Sequence, residues 1–262
     1  MWRDPDGWSD RPLWNDPYAA PRGYSYEVRF RGPSSPSTYR RGEPAGPLGM
    51  RFSRVEVVQL FLSVVVLTLA FGIVFAREAR GSVDVGILPY TVALALPAVL
   101  SGFVLHELGH KFTAQRFGAW SEYRALYLGL LIALALSPWV LLAAPGAVMI
   151  SGALRRSDNG RISLAGPMTN FVIVLACVPA YILLTTAHFG EIAGMDPDPD
   201  LGASALAAGA VFYMVWVNVL LAAFNLLPLP PLDGSKVARW SPAVWFVAFF
   251  LVFILGNTLA SV

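Results

Sequence analysis

At 262 residues the chain is long enough for one or two domains. An ordinary soluble fold is excluded by composition: 56% of residues are hydrophobic and only 14% are charged, with a mean hydropathy of +0.57. The formal net charge of +2 is too small to indicate a nucleic-acid partner, so the placement of charges matters more than their sum. Cys177 is the single cysteine, which excludes an internal disulfide and a cysteine-based metal cluster; within an apolar span it reads as a small hydrophobe.

Residues 1–54 are rich in Arg, Pro and Gly, with Trp2, Trp8 and Trp14 at even spacing. Such a stretch buries too little apolar surface to offset its ordering entropy, so a disordered cytoplasmic tail is expected. Within it, Tyr24 to Arg31 alternates apolar and polar residues and suits one short strand. The tryptophans and nearby Asp-Pro steps suit docking on a partner or on a membrane surface, against the simpler reading of a solvated arm. No basic stretch followed by a short apolar one opens the chain, so a cleavable signal peptide is not expected.

The remainder, 55–262, reads as one all-α polytopic membrane domain. Val55–Ala76 is apolar apart from Glu56 and small polar residues, long enough to cross a hydrocarbon core of about 30 Å. After the charged loop Arg77–Asp84, Leu88-Pro89 opens a second helix. Residues 87–105 cover about 28 Å at 1.5 Å per residue, which places His106 toward the far side of the bilayer. Pro97 is expected to kink this helix, and Lys111 and Arg116 to mark where it emerges. Further apolar spans run over Ile162–Ala187, Ala205–Leu227 and Pro242–Leu259, making about five crossings.

Leu126–Ala153 is apolar but broken by Pro138, Pro145, Gly146 and Gly152. The basic segments at the tail, 111–124, 155–161 and 236–239 favour the cytoplasm, and the acidic 188–204 loop favours the outside. Both ends of 126–153 then lie on one side. The stretch is therefore expected to enter and return as a re-entrant hairpin or short membrane-embedded strands covered by protein; a single plain helix would invert every later segment.

The chemistry sits in His106-Glu-Leu-Gly-His110. Residues four apart share a helix face, so both imidazoles can reach one metal ion while Glu107 handles a proton on bound water. With three His and seven Glu in the chain, such a pattern arises by chance on the order of once in a thousand. The plainer alternative is two buried histidines satisfied by neighbours, but a carboxylate between them in an apolar span is costly without a partner. Catalytic zinc sites usually take three protein ligands. His188 lies at the end of a span on the opposite side, which leaves carboxylates. Asp233, in the Pro-rich break Asn225–Gly234, emerges at the depth of His106; its plainer reading is a helix cap before Gly234.

Three ordered motifs, HELGH, Gly166-Pro-Met-Thr-Asn170 and Asn225 with Leu232-Asp-Gly234, resemble the site-2 protease family of intramembrane zinc metalloproteases over roughly residues 85–240. The resemblance implies that His106, His110 and Asp233 bind one zinc ion per chain and that Glu107 is the general base. Asn170 and Asn225 match the family's other polar positions, with substrate-backbone or oxyanion contacts as their implied roles. Neither an inserted PDZ-like domain nor an appended nucleotide-binding domain is visible in the sequence, and the N-terminal tail is outside the family pattern. The expected protein is an integral, multi-pass zinc metalloendopeptidase in a lipid bilayer. Its N-terminus and active site face the cytoplasm, and it cleaves transmembrane protein substrates. A membrane metal-ion transporter and a catalytically idle binder of membrane helices are the competing readings. Transporters tend to show internal repeats, which are not evident here, and a scaffold has no need of Glu107.

Overall fold

The computed structural model describes residues 50–139, 145–152, 154–194 and 203–260, all within one compact unit, Tyr39–Val262. Most of the expected tail, its candidate strand Tyr24–Arg31 and the centre of the acidic loop at 195–202 lie outside the described residues.

Ser53 caps the first helix, α1 (Arg54–Arg80), its hydroxyl accepting the Glu56 N–H at 3.1 Å. The helix is apolar all round. Leu67, Phe71, Val74 and Phe75 are buried, while Val58, Phe61, Val65 and Leu69 are exposed, as expected when one face meets helices and the other meets lipid.

The second crossing is one 29-residue helix, Leu88–Arg116, with a change of pitch inside it. α2 (Leu88–Val99) passes into a π-helical turn at Leu100–Val104 and then into α3 (Leu105–Arg116). A kink is expected at Pro97; beyond it the ladder widens, where the Leu100 N–H reaches both the Leu96 and Pro97 carbonyls and the Leu105 N–H bonds to the Leu100 carbonyl five residues back. An inserted residue widens a turn in this way without breaking the helix. Ser101 in that turn is buried and accepts from the Asn218 amide at 2.9 Å.

Next comes the excursion expected from Leu126–Ala153. Strand β1 (Trp120–Ala125) pairs antiparallel with β2 (Gly146–Ser151), Tyr123 opposite Val148. Between them lies α4 (Tyr127–Leu136), ten residues and too short to cross. The Leu126 N–H bonds to the Pro145 carbonyl at 2.9 Å, so the chain returns to its starting point. At its far end the Trp139 carbonyl meets Arg77, the last turn of α1. The segment therefore combines strands and a short helix, and β1 begins within a stretch read from sequence as a polar loop.

α5 (Arg156–Gly194), α6 (Ala203–Asn225), the short α7 (Asp233–Trp240) and α8 (Pro242–Ala260) complete the chain. Among the described residues, five helices are long and apolar enough to cross a membrane, at the positions read from sequence. A core of Phe71, Phe75, Leu94, Phe103, Tyr213 and Val217 joins α1, α2 and α6.

Four contacts gather the basic segments at one end of the bundle. The Arg51 N–H bonds to the Gln115 side chain at 3.1 Å, Lys111 pairs with Glu56, His110 meets the Ile162 carbonyl, and Arg156 meets the Arg239 carbonyl.

Candidate metal centre

α3 presents His106 and His110 one turn apart, and both are buried. Their Nε2 atoms are 3.1 Å apart. Asp233, at the start of α7, brings its Oδ2 to 2.9 Å from His110 Nε2 and 3.6 Å from His106 Nε2. Three donors bound tetrahedrally to zinc at about 2.0–2.1 Å stand about 3.3 Å from one another. The triad therefore forms one face of such a tetrahedron and leaves the fourth position for water or substrate.

The tautomer follows from the surroundings. His110 Nδ1 lies 2.7 Å from the Ile162 carbonyl of α5; a carbonyl only accepts, so Nδ1 donates and the neutral ring turns the lone pair of Nε2 inward. The other carboxylate oxygen of Asp233, Oδ1, accepts from Lys236 Nζ at 3.2 Å, which leaves Oδ2 to face the two imidazoles. Converging lone pairs and a carboxylate repel unless a cation sits between them. One proton can bridge a single pair, whereas three mutual separations near 3 Å suit one ion held by all three. The donor set therefore fits zinc.

Two glycines let the helices come close enough to make this site. A Cβ at Gly166 would lie 2.4 Å from His110 Nε2 and 2.6 Å from His106 Nε2, so the backbone of α5 forms one wall of the metal cradle. Within HELGH, a Cβ at Gly109 would lie 2.5 Å from Thr169 Oγ1 and 3.0 Å from the Ala165 carbonyl. Each motif carries a glycine where the other helix packs against it.

Glu107 Oε2 is buried without a hydrogen-bond partner among the described residues, as are His106 Nδ1 and both side-chain polar atoms of Asn170. Unsatisfied buried groups are costly and uncommon, and four of the seven such atoms among the described residues lie here: Glu107 adjoins His106, and Asn170 is one turn beyond Gly166 on α5. From the other side, β2 packs against α3. Asn225 is less engaged, its amide donating to the Leu221 carbonyl of its own helix at 2.9 Å.

One residue departs from its sequence reading. Lys111 does not emerge at the surface; it is 1% exposed and paired with Glu56 at 2.9 Å. Two isolated, opposite charges within or beside apolar spans were the available signal, since such charges are expected to find each other.

The model of peptidase family M50 matches residues 186–243, a stretch that holds Asn225 and Asp233. The protein named "Putative zinc metalloprotease MJ0611" from Methanocaldococcus jannaschii is 36% identical over 207 residues, covering 75% of this chain and 90% of that protein. "Zinc metalloprotease MJ0392" from the same organism is 28% identical over 136 residues, 52% of this chain and 30% of its own length. YwhC of Bacillus subtilis, named in the same words as the first, is 28% identical over 163 residues, 58% of this chain and 68% of its own. No solved structure matches.

Proposed function

Since the chain belongs to peptidase family M50, the site-2 proteases, and is by that membership a zinc metallopeptidase, we propose that it hydrolyses a peptide bond within or near a transmembrane helix of another membrane protein. The membership sets aside the metal-carrier and idle-binder readings. The observation that carries the proposal is the triad itself: three donor atoms 2.9 to 3.6 Å apart on helices of a bundle with five crossings, against a wall that only glycine permits.

In this reading His106, His110 and Asp233 hold one zinc ion per chain, which when bound lowers the pKa of water toward 7 and polarises the scissile carbonyl. Glu107 takes the proton from the attacking water and delivers it to the leaving amine. Asn170, whose amide is buried and unspent, donates to the oxygen on which charge develops; Asn225, at the end of α6, contacts the substrate backbone. A helical substrate has its carbonyls bonded internally, so it must unwind locally before attack. β2 offers the extended segment a place to pair. Tyr123 and Ala125 turn their N–H groups away from β2, so their partners Val148 and Gly146 turn theirs away from β1. The basic segments gathered at the site's end support a cytoplasmic active site and N-terminus.

Glu107→Gln tests the reading. Zinc content and thermal unfolding in detergent should match the unaltered chain, while cleavage of a membrane-spanning reporter peptide falls by about 10²–10⁴-fold, the usual contribution of a general base. Normal cleavage by this variant would remove Glu107 from the role.

A further inference from the structure

β1 has two edges, and only one is covered by β2. Tyr123 and Ala125 stand at alternate positions on the other edge, where a lone hairpin would leave an N–H without a partner at each. In this fold side chains from two helices meet that edge. Glu56 Oε1 accepts the Tyr123 N–H at 2.9 Å, and Gln59 Oε1 accepts the Ala125 N–H at 3.1 Å. Lys111 Nζ donates to the Ser121 carbonyl at 2.8 Å and to Glu56 Oε2 at 2.9 Å, with the Phe52 ring centroid 4.8 Å away. These three side chains thus occupy consecutive outward positions of β1, at Ser121, Tyr123 and Ala125, as a neighbouring strand would.

The sequence of α1 shows that this is a special use of Glu56. Ser53-x-x-Glu56 is the spacing of a helix capping box. Ser53 makes its half of that box, but both carboxylate oxygens of Glu56 are spent on Tyr123 and Lys111. Lys111 adjoins the ligand His110 on α3, so the same ion pair ties the metal helix, the first helix and the strand together.

We propose that Glu56, Gln59 and Lys111 are positioning residues that close the outer edge of β1 and fix the hairpin against α3. An extended substrate can then add only to β2, with its scissile bond at one register beside Glu107. This rests on the protease reading for its consequence but not for its geometry, and the two can be tested apart.

The geometric arm uses the full chain in detergent and amide hydrogen exchange. Two neutral double variants are compared: Glu56→Gln with Lys111→Met keeps an acceptor for the Tyr123 N–H, and Glu56→Leu with Lys111→Met removes it. Exchange at Tyr123 should be at least ten-fold faster in the Leu variant than in the Gln variant, with bound zinc equal in both. Equal exchange overturns the proposal. Gln59→Leu, which leaves the ion pair intact, should speed exchange at Ala125 alone, and an unchanged rate there overturns it equally, whether or not the double variants fold. The functional arm maps cleavage products. The Leu variant should cut bonds neighbouring the one that the Gln variant uses, with at least ten-fold lower kcat/KM than the Gln variant. A Leu variant that cuts the same single bond at the Gln variant's rate overturns the proposal. Failure of the unaltered, zinc-loaded chain to cut any membrane-spanning peptide counts against the protease reading, and the exchange arm then decides the edge alone.

Discussion

Two buried polar clusters meet on consecutive residues of α3, and they are built on opposite principles. Around Lys111 the groups complement one another: an ammonium, a carboxylate with both oxygens used, a strand carbonyl and a strand N–H, with the ion pair 1% exposed. Around His110 two imidazole nitrogens and a carboxylate oxygen converge within 3.6 Å, flanked by a carboxylate oxygen and an amide without partners among the described residues. A cluster that balances itself holds the fold together, whereas one that balances only with a guest marks where chemistry happens. Burial and charge alone do not separate the two; the accounting of donors against acceptors does.

Breaking the self-balanced cluster should have the larger effect on folding. Lys111→Met leaves the Glu56 carboxylate buried without a counter-charge, a change expected to cost about 3–5 kcal/mol, read by thermal or denaturant unfolding in detergent. Most of that loss should return when Glu56→Gln is added. A single variant as stable as the unaltered chain would erase the distinction drawn here.

A smaller effect is expected from pressing on the other cluster. Gly166→Ala puts a methyl where the two Nε2 atoms stand, so the imidazoles must turn. Metal affinity should fall by about ten- to a hundred-fold, comparable to the loss of a group that orients a ligand. Zinc titration against a competing chelator measures it, and the chain should unfold nearly as before.

Smallest, and of unusual sign, is Asn170→Ala. A buried amide without partners costs about 1–3 kcal/mol, so its removal should leave stability equal or raise it by about 1 kcal/mol while cleavage declines. A clear loss of stability would show that Asn170 belongs with the structural cluster instead.

What the sequence makes legible follows from how local the information is. The five crossings are apolar runs, readable residue by residue, and the two histidines and Glu107 lie within five positions, so helical periodicity alone aligns them. Asp233 is distant in the chain, yet a carboxylate in a Pro-rich apolar break at matching depth still pointed to it. The Lys111 network was not readable in the same way. Its partners are 10 and 55 residues away, β1 hides in a polar stretch, and a lysine near a helix end ordinarily signals water. Pro97 marks a kink in the sequence, whereas the widened turn at Leu100–Val104 carries no such local mark.

That inserted residue has a consequence for how the chain can vary. An α-helix advances each side chain by about 100°, and the wide turn at Leu100–Val104 takes up one surplus residue, so the side chains after it stand about that angle from where an unbroken α-helix of the same length would put them. The helix acts here as a dial as well as a rod. Re-winding that turn as plain α-helix with no residue removed would keep HELGH intact letter for letter and yet aim both rings away from the aspartate, so a change that no motif search would notice is enough to disarm the site.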